Sequence, residues 1–189
     1  LTKLAAWCDR FSPWVALCGA DGICLDVTGC AHLFGDESGL AGQAVARLAR
    51  QGIDARAAIA DTLGAAWALS RFAGAHYANG PTITVPRGGA KQALADLPVA
   101  ALRLESETAS LLMRLGFTRI GELYSIPRAA LAARCGKSVA LRLDQALGLS
   151  AEPLSPLPPQ PRRGARRAVA EPIATAEAIA AALRELLQH

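Results

Sequence analysis

Hydrophobic and polar positions at the start of the chain change from helical spacing to strand spacing. Residues 1–11 place apolar side chains every three or four positions, which predicts an amphipathic helix. Residues 14–18 and 23–27 are short apolar runs that flank Gly19-Ala20-Asp21-Gly22. Asp-Gly between alternating apolar residues is the strongest local signal for a tight β-hairpin. We therefore expect Asp21 at or beside the tip of a hairpin.

After the hairpin, helical and strand patterns alternate. An acidic start at Asp36 predicts a helix that ends near Gly52, and Asp61 and Thr62 predict the N-cap of a second helix over residues 62–73. Residues 53–60 and 82–85 have the pattern of strands, and shorter helices follow at 106–114, 128–135, 138–147 and 176–187. This order favours an α+β fold, with an antiparallel sheet that carries helices on one face.

The hairpin sequence ADGICLDVT, residues 20–28, resembles the palm hairpin of Y-family (translesion) DNA polymerases. In that family an adjacent Asp and Glu serve the metal-dependent chemistry. Asp21 matches the Asp, whereas Gly22 stands where the Glu would be. The next residues, TGCAHLFG, resemble the ImuB-type branch, polymerase-like proteins of bacterial mutagenic repair that have lost catalytic carboxylates. The resemblance implies a degenerate site at Asp21 and Gly22, with no catalytic residue and no metal.

The same resemblance implies a domain organisation. Residues 1–86 would form a partial polymerase palm, 87–150 a small helical helix-hairpin-helix thumb, 151–170 a Pro/Arg-rich linker, and 171–189 the first helix of a truncated little-finger domain. The chain begins with Leu, so we expect a piece of a longer protein that lacks the first palm strand and the fingers. Leu63 stands where the family has a lysine that helps to hold the incoming triphosphate.

Five arginines are candidate DNA contacts. Arg103 and Glu105 occupy the places of the two hairpin glycines of the family's thumb, where a bare backbone approaches a phosphate. Their Cβ atoms and the charge of Glu105 predict weak DNA binding, with Arg103 as a side-chain contact. The other four are Arg162, Arg163, Arg166 and Arg167. That cluster is either a phosphate-binding segment or a solvated linker.

Charge and composition narrow the class of protein. Residues 1–85 carry six Lys/Arg against seven Asp/Glu, whereas residues 86–189 carry fourteen against nine, which favours an anionic partner for the second half. The apolar content is interrupted by charges, so a membrane segment is not expected. Five cysteines without a Cys-x-x-Cys motif favour a reduced, cytoplasmic compartment.

Other chemistry-bearing residues have structural interpretations. Cys24, Cys30 and His32 do not have the spacing of a zinc site. Asp21 and Asp26 are five residues apart, which puts them on opposite faces of a regular strand and argues against one shared metal site. His32 and His76 are predicted to pack at the edge of the core, and Trp7, Trp14 and Trp67 are predicted as core anchors.

The favoured function is a non-catalytic adaptor in DNA-damage-induced mutagenesis and translesion synthesis. By family resemblance its partners would be DNA, the sliding clamp, an error-prone replicative polymerase and a recombinase-like protein. Two alternatives stay open: an active translesion polymerase, which alone would need Mg²⁺ as a cofactor, and a simple non-specific DNA-binding module.

Overall fold

The structure, a computed structural model, describes residues 1–74, 80–158 and 174–186 of the 189-residue chain. The chain divides into two compact units, Leu1–Leu157 and Pro158–His189. None of the helices in the described ranges is long and apolar enough to cross a membrane.

The first unit contains most of the secondary structure. Its α-helices are α1 (Thr2–Cys8), α2 (Glu37–Ala49), α3 (Leu63–Phe72), α4 (Ala90–Leu94), α5 (Ser106–Arg114), α6 (Arg128–Cys135) and α7 (Lys137–Ala146). Its strands are β1 (Trp14–Leu17), β2 (Ile23–Asp26), β3 (Ala57–Ile59) and β4 (Thr82–Thr84). Short 3₁₀ helices lie at Ala31–Phe34, Val99–Leu102 and Ile120–Leu123.

The strands form two separate pairs within the described residues. β1 and β2 are antiparallel, with Val15 opposite Leu25, as the hairpin pattern predicts. β3 and β4 are parallel, with Ala58 opposite Ile83. The α+β class is confirmed, but the expectation of antiparallel pairing is wrong for this second pair. The chain passes from β3 through α3 before it reaches β4, and a crossover of this kind returns the chain in the same direction.

Helix starts agree with the capping residues that the sequence predicts. Asp36 accepts a hydrogen bond from the backbone N–H of Gly39 at 2.6 Å, at the start of α2. Thr62 accepts one from the N–H of Ala65 at 3.0 Å, at the start of α3. These side chains satisfy backbone donors that a helix start leaves unpaired.

The main core joins α3 to the helices that follow it. Its largest fully buried apolar side chains are Leu69, Leu94, Leu112, Ile120, Leu123, Leu131, Leu143, Val99 and Val139. Leu69 belongs to the predicted palm, and the others belong to the predicted thumb. The boundary at residues 86 and 87 stays a prediction.

Close packing of α3 on α7 depends on Gly64. A Cβ atom at Gly64 would lie 2.9 Å from the Cα of Ala146. The hydroxyl of Thr62 also donates a hydrogen bond to the carbonyl oxygen of Ala146, at 2.9 Å. The start of α3 is therefore fixed against the end of α7.

A smaller core lies beneath the hairpin. Ala5, Cys8 and Val15 are buried there, and Leu157 packs against them. The N–H of Leu157 donates a hydrogen bond to the carbonyl oxygen of Val15 at 2.8 Å. The segment that follows α7 therefore returns to β1, although the sequence predicts a linker from residue 151.

The aromatic and histidine predictions are only partly confirmed. Trp7 packs on the smaller core and Trp67 is half-buried. Trp14 is 54% exposed, so the prediction of a core anchor is wrong for this residue. His32 is also exposed, so it does not pack at the edge of the core as predicted. His76 lies outside the described residues.

In the second unit, the described residues form α8 (Ala176–Leu186). The helix is amphipathic, and Ile179 and Leu183 on it are 48% and 54% exposed. A helix in this place was predicted from the sequence.

Candidate functional site

The hairpin loop that carries Asp21 is held by its own backbone. The N–H of Cys18 donates a hydrogen bond to the carbonyl oxygen of Gly22 at 2.9 Å, which leaves Gly19 to Asp21 as the loop. Gly19 has a φ of 79°, which glycine adopts without strain. Asp21 therefore lies at the hairpin tip, as predicted.

Gly22 occupies a position without room for a side chain. A Cβ atom there would lie 2.5 Å from the carbonyl oxygen of Cys18 and 2.9 Å from Nη2 of Arg71. Real Cβ atoms essentially never approach other atoms below 3.0 Å. A glutamate at position 22 therefore requires the hairpin backbone to move.

Arg71 binds the Asp21 carboxylate through two parallel hydrogen bonds. Nη1 and Nη2 of Arg71 lie 2.7 and 2.6 Å from the two carboxylate oxygens. This forked geometry is the strongest form of ion pair between these side chains. Hydrogen bonding from Arg71 lowers the pKa of Asp21, and the same bonds raise the pKa of Arg71. The carboxylate is therefore ionised near neutral pH, with both oxygens bonded to a protein cation and its side chain 68% exposed.

Helix α3 positions Arg71 for this contact. The Arg71 guanidinium lies 4.8 Å from the centre of the Trp67 ring, one helical turn earlier. A cation over an indole face is attracted by the ring's quadrupole. Trp67 therefore supports Arg71 from one side while Asp21 binds it from another.

Asp26 takes no part in this contact. Its Oδ1 accepts a hydrogen bond from the N–H of Thr28 at 2.9 Å, and hydrogen bonding with Thr28 lowers the pKa of Asp26. The Asp26 carboxylate therefore closes a local turn, and the absence of a metal site shared by Asp21 and Asp26 stays a prediction.

The residues present do not fit the Mg²⁺ site of an active polymerase, the alternative that the family resemblance leaves open. Within the part of the chain that the structure describes, no group of three or more His, Cys, Asp and Glu residues could hold a metal ion. At the loop, Arg71 binds the Asp21 carboxylate, Gly22 has no side-chain ligand, and the carbonyl oxygen of Gly22 accepts a hydrogen bond from the N–H of Cys18. Mg²⁺ requires several oxygen ligands in near-octahedral geometry.

Arg103 lies in a second ion-pair network. Its Nη2 is 2.5 Å from Oε2 of Glu152, and Nη1 of Arg142 is 2.8 Å from the other oxygen of the same carboxylate. Arg103 also lies near Trp67, with 5.8 Å between its guanidinium and the ring centre. Its φ of 55° is positive, and no other described residue with a side chain shares this conformation. Arg103 thus has a backbone conformation typical of glycine, at the place where the family has a hairpin glycine.

The other predicted DNA contacts cannot be placed. Arg162, Arg163, Arg166 and Arg167 all lie outside the described residues. Glu105 is exposed at the start of α5, directly after Arg103 and Leu104.

The cysteines are free thiols in this structure. Burial raises the pKa of the Cys8 thiol to about 11. Burial and hydrogen bonding with Cys18 raise the pKa of Cys24. Both thiols are therefore protonated near neutral pH, a state in which they are poor metal ligands and poor nucleophiles.

A large groove runs beside Asp21. It has a volume of about 1590 Å³, and hairpin, α2, β3 and α3 residues line it. Asp21, Arg71 and Glu152 are among the charged lining residues.

The sequence does not by itself identify Arg71, Arg142 or Glu152 as site residues. The four-residue spacing of Trp67 and Arg71 on a helix does indicate a contact between their side chains.

Comparison with known proteins gives two kinds of relative. The chain is 49% identical to protein ImuB of Caulobacter vibrioides, in strains NA1000 and CB 15, over 181 residues. The match covers 95% of this chain and 38% of those proteins, so the chain spans well under half of their length. No protein-family model matches the sequence.

The fold has a solved counterpart. The crystal structure of DinB from Sulfolobus solfataricus superposes with a TM-score of 0.62 at 20% identity, and covers 82% of this chain and 46% of that protein. At this identity the similarity concerns the fold. The sequence match and the fold together support the identification of the chain as an ImuB-type, Y-family polymerase-like protein, as its hairpin motif predicts.

Proposed function

We propose that the chain belongs to a non-catalytic adaptor that acts in DNA-damage-induced mutagenesis and translesion synthesis. One observation carries this proposal: Arg71 occupies both oxygens of Asp21, beside a Gly22 that has no room for a carboxylate side chain. The similarity to ImuB supports the assignment to this process.

Nucleotide transfer by polymerases depends on metal ions, and the ion pair between Asp21 and Arg71 bears directly on metal binding. Two-metal catalysis needs convergent carboxylates that hold two cations on the attacking and leaving oxygens. The Arg71 guanidinium neutralises Asp21 and repels a second cation at the same place. The loop is therefore held together by an internal ion pair that takes the place of metal coordination.

DNA would be bound weakly and without sequence specificity. The residues that we assign to this contact are Arg103 and the linker arginines Arg162, Arg163, Arg166 and Arg167. Glu105 would repel a phosphate near the thumb hairpin, and Arg103 is paired with Glu152. We assign residues 87–150 to the thumb that presents this surface.

Protein partners complete the proposed role. By resemblance to the ImuB-type branch they are the sliding clamp, an error-prone replicative polymerase and a recombinase-like protein. The chain covers 38% of its ImuB relatives, so these contacts are proposed for the whole protein.

Primer extension by the full-length protein tests the absence of catalysis. We expect no nucleotide incorporation with Mg²⁺ or Mn²⁺. Incorporation that Asp21→Ala abolishes would favour the alternative, an active translesion polymerase.

Co-precipitation of the intact protein with the sliding clamp and the replicative polymerase tests the adaptor role. Failure to retain either partner would contradict this role.

A further inference from the structure

Glu152 accepts hydrogen bonds from two arginines that come from different parts of the fold. Arg103 follows the 3₁₀ helix Val99–Leu102, and Arg142 lies in α7. Their guanidinium nitrogens lie 2.5 and 2.8 Å from the two carboxylate oxygens of Glu152. The Glu152 side chain is only 12% exposed.

Two arginines that converge on one anion also have the geometry of a phosphodiester site. Guanidinium groups bind carboxylates and phosphates through the same forked pairs of N–H donors. In this structure the anion between Arg103 and Arg142 is a carboxylate of the chain itself. A backbone phosphate could replace it without leaving either arginine unpaired.

Glu152 lies between these arginines and the large groove. Its side chain lines the groove, whereas Arg103 and Arg142 are not among the lining residues. Glu152 belongs to residues 151–158, which contain no helix or strand. The N–H of Leu157 holds this segment to Val15 by one backbone hydrogen bond of 2.8 Å. Movement of the segment would expose two arginines without disrupting an element of secondary structure.

We propose that Arg103 and Arg142 form a binding site for a phosphodiester of the DNA backbone, and that Glu152 occupies this site as an internal competitor. The inference rests on the DNA binding in the proposed function and adds a second arginine and a means of control. It assigns an inhibitory role to the segment that the sequence analysis predicts as a linker.

The test is fluorescence anisotropy with a labelled primer–template duplex, the 189-residue chain and a series of salt concentrations. We expect Glu152→Gln to raise the affinity about tenfold at low salt, because a phosphate contact shared by two arginines becomes available. The plot of log K against log salt should steepen by about 1, since one more phosphate contact adds roughly 0.9 to the slope. Adding Arg103→Gln or Arg142→Gln to this variant should remove about half of the gain.

Asp144→Asn is the matched control. Asp144 pairs with Arg128 at 2.6 Å, so this change also removes one negative charge and releases one arginine. We expect it to change the affinity less than about twofold, because Arg128 has no second arginine on the same carboxylate. An equal gain from both variants would overturn the inference, since it would reflect net charge alone.

A second variant guards against loss of folding in Glu152→Gln. Glu152→Asp keeps the charge, but its shorter side chain cannot reach both guanidinium groups, so we expect an intermediate gain in affinity for the duplex.

NMR of the unaltered chain needs no substitution at Glu152. Added duplex should shift the Nε–H signals of Arg103 and Arg142. Unshifted signals with a bound duplex would overturn the inference and leave the proposed function intact. No binding by any variant at low salt would contradict both.

Discussion

Arg71 binds both carboxylate oxygens of Asp21, at 2.6 and 2.7 Å, and thereby connects α3 to the tip of the hairpin. The two residues are 50 positions apart in the sequence. The contact therefore places a fixed cation beside the carboxylate at the hairpin tip. The pKa of Asp21 and the stability of the chain should therefore depend on this ion pair and on the glycines packed near it.

Replacing Arg71 should release Asp21. In Arg71→Gln the pKa of Asp21 is expected to rise towards its ordinary value of about 3.9, because the hydrogen bonds that lower it are lost. An NMR titration of the Asp21 carboxyl carbon measures this rise. Arg71→Lys is the control, since it keeps the charge without the fork and should raise the pKa less.

The same pair predicts a pH dependence of stability. A carboxylate whose pKa is lowered on folding stabilises the protein above its unfolded pKa, and this contribution is lost as the pH falls through the folded value. The difference in Tm between the unaltered chain and Arg71→Gln should therefore be largest near neutral pH and shrink in acid to the part that comes from the contact of Arg71 with Trp67. A difference that grows on acidification would contradict the assignment.

Gly22 should not tolerate even a methyl group. Gly22→Ala is expected to destabilise the chain by about 1–3 kcal/mol, because the added Cβ would lie 2.5 Å from the carbonyl oxygen of Cys18. Gly42→Ala is the matched control, since no atom lies within 4 Å of a Cβ at this position in α2. It should stabilise the helix by about 0.5–1 kcal/mol. Chemical denaturation of both variants measures the difference.

Gly64 should be equally intolerant of substitution, for a different reason. A Cβ atom there would lie 2.9 Å from the Cα of Ala146, so Gly64→Ala must separate α3 from α7. We expect a loss of about 1–3 kcal/mol, measured by denaturation. A gain similar to that of Gly42→Ala would show that the two helices do not pack in this way.

Cys8 should resist alkylation in the folded chain. It is 7% exposed, and burial raises the pKa of its thiol to about 11, so little thiolate is present at pH 8. Mass spectrometry after brief treatment with iodoacetamide should find Cys8 unmodified. In denaturant all five cysteines should react, and rapid reaction of Cys8 in the folded chain would contradict its burial.

Local sequence signals predicted the helices well. The helices Ser106–Arg114 and Arg128–Cys135 have the predicted bounds, because their ends are marked by turn and proline residues close by in sequence. Asp36 and Thr62 cap helices as predicted, since a cap acts within three residues.

The sequence gives the wrong direction of pairing between β3 and β4, because a strand pattern does not specify a partner. The short runs at β3 and β4 identify strands, but their parallel pairing follows from the crossover through α3. The connection length was visible in the sequence and could have given the correct direction.

The sequence predicts the place of Asp21 in the hairpin but not the residues that bind it. The absence of a Glu after Asp21 follows from the sequence, whereas the partners of the charged groups do not. Arg71 lies 50 residues from Asp21, and Glu152 lies 49 residues from Arg103. Only the folded chain brings these pairs together, because pairing at that distance depends on how α3 and α7 pack.

If the internal ion pair closes the Asp21 loop in place of a metal ion, the chain should not bind a divalent cation there. Isothermal titration of the chain with MnCl₂, compared with Asp21→Asn, tests it most directly. The account predicts no saturable heat that distinguishes the two proteins. Saturable Mn²⁺ binding by the unaltered chain that Asp21→Asn abolishes would contradict it.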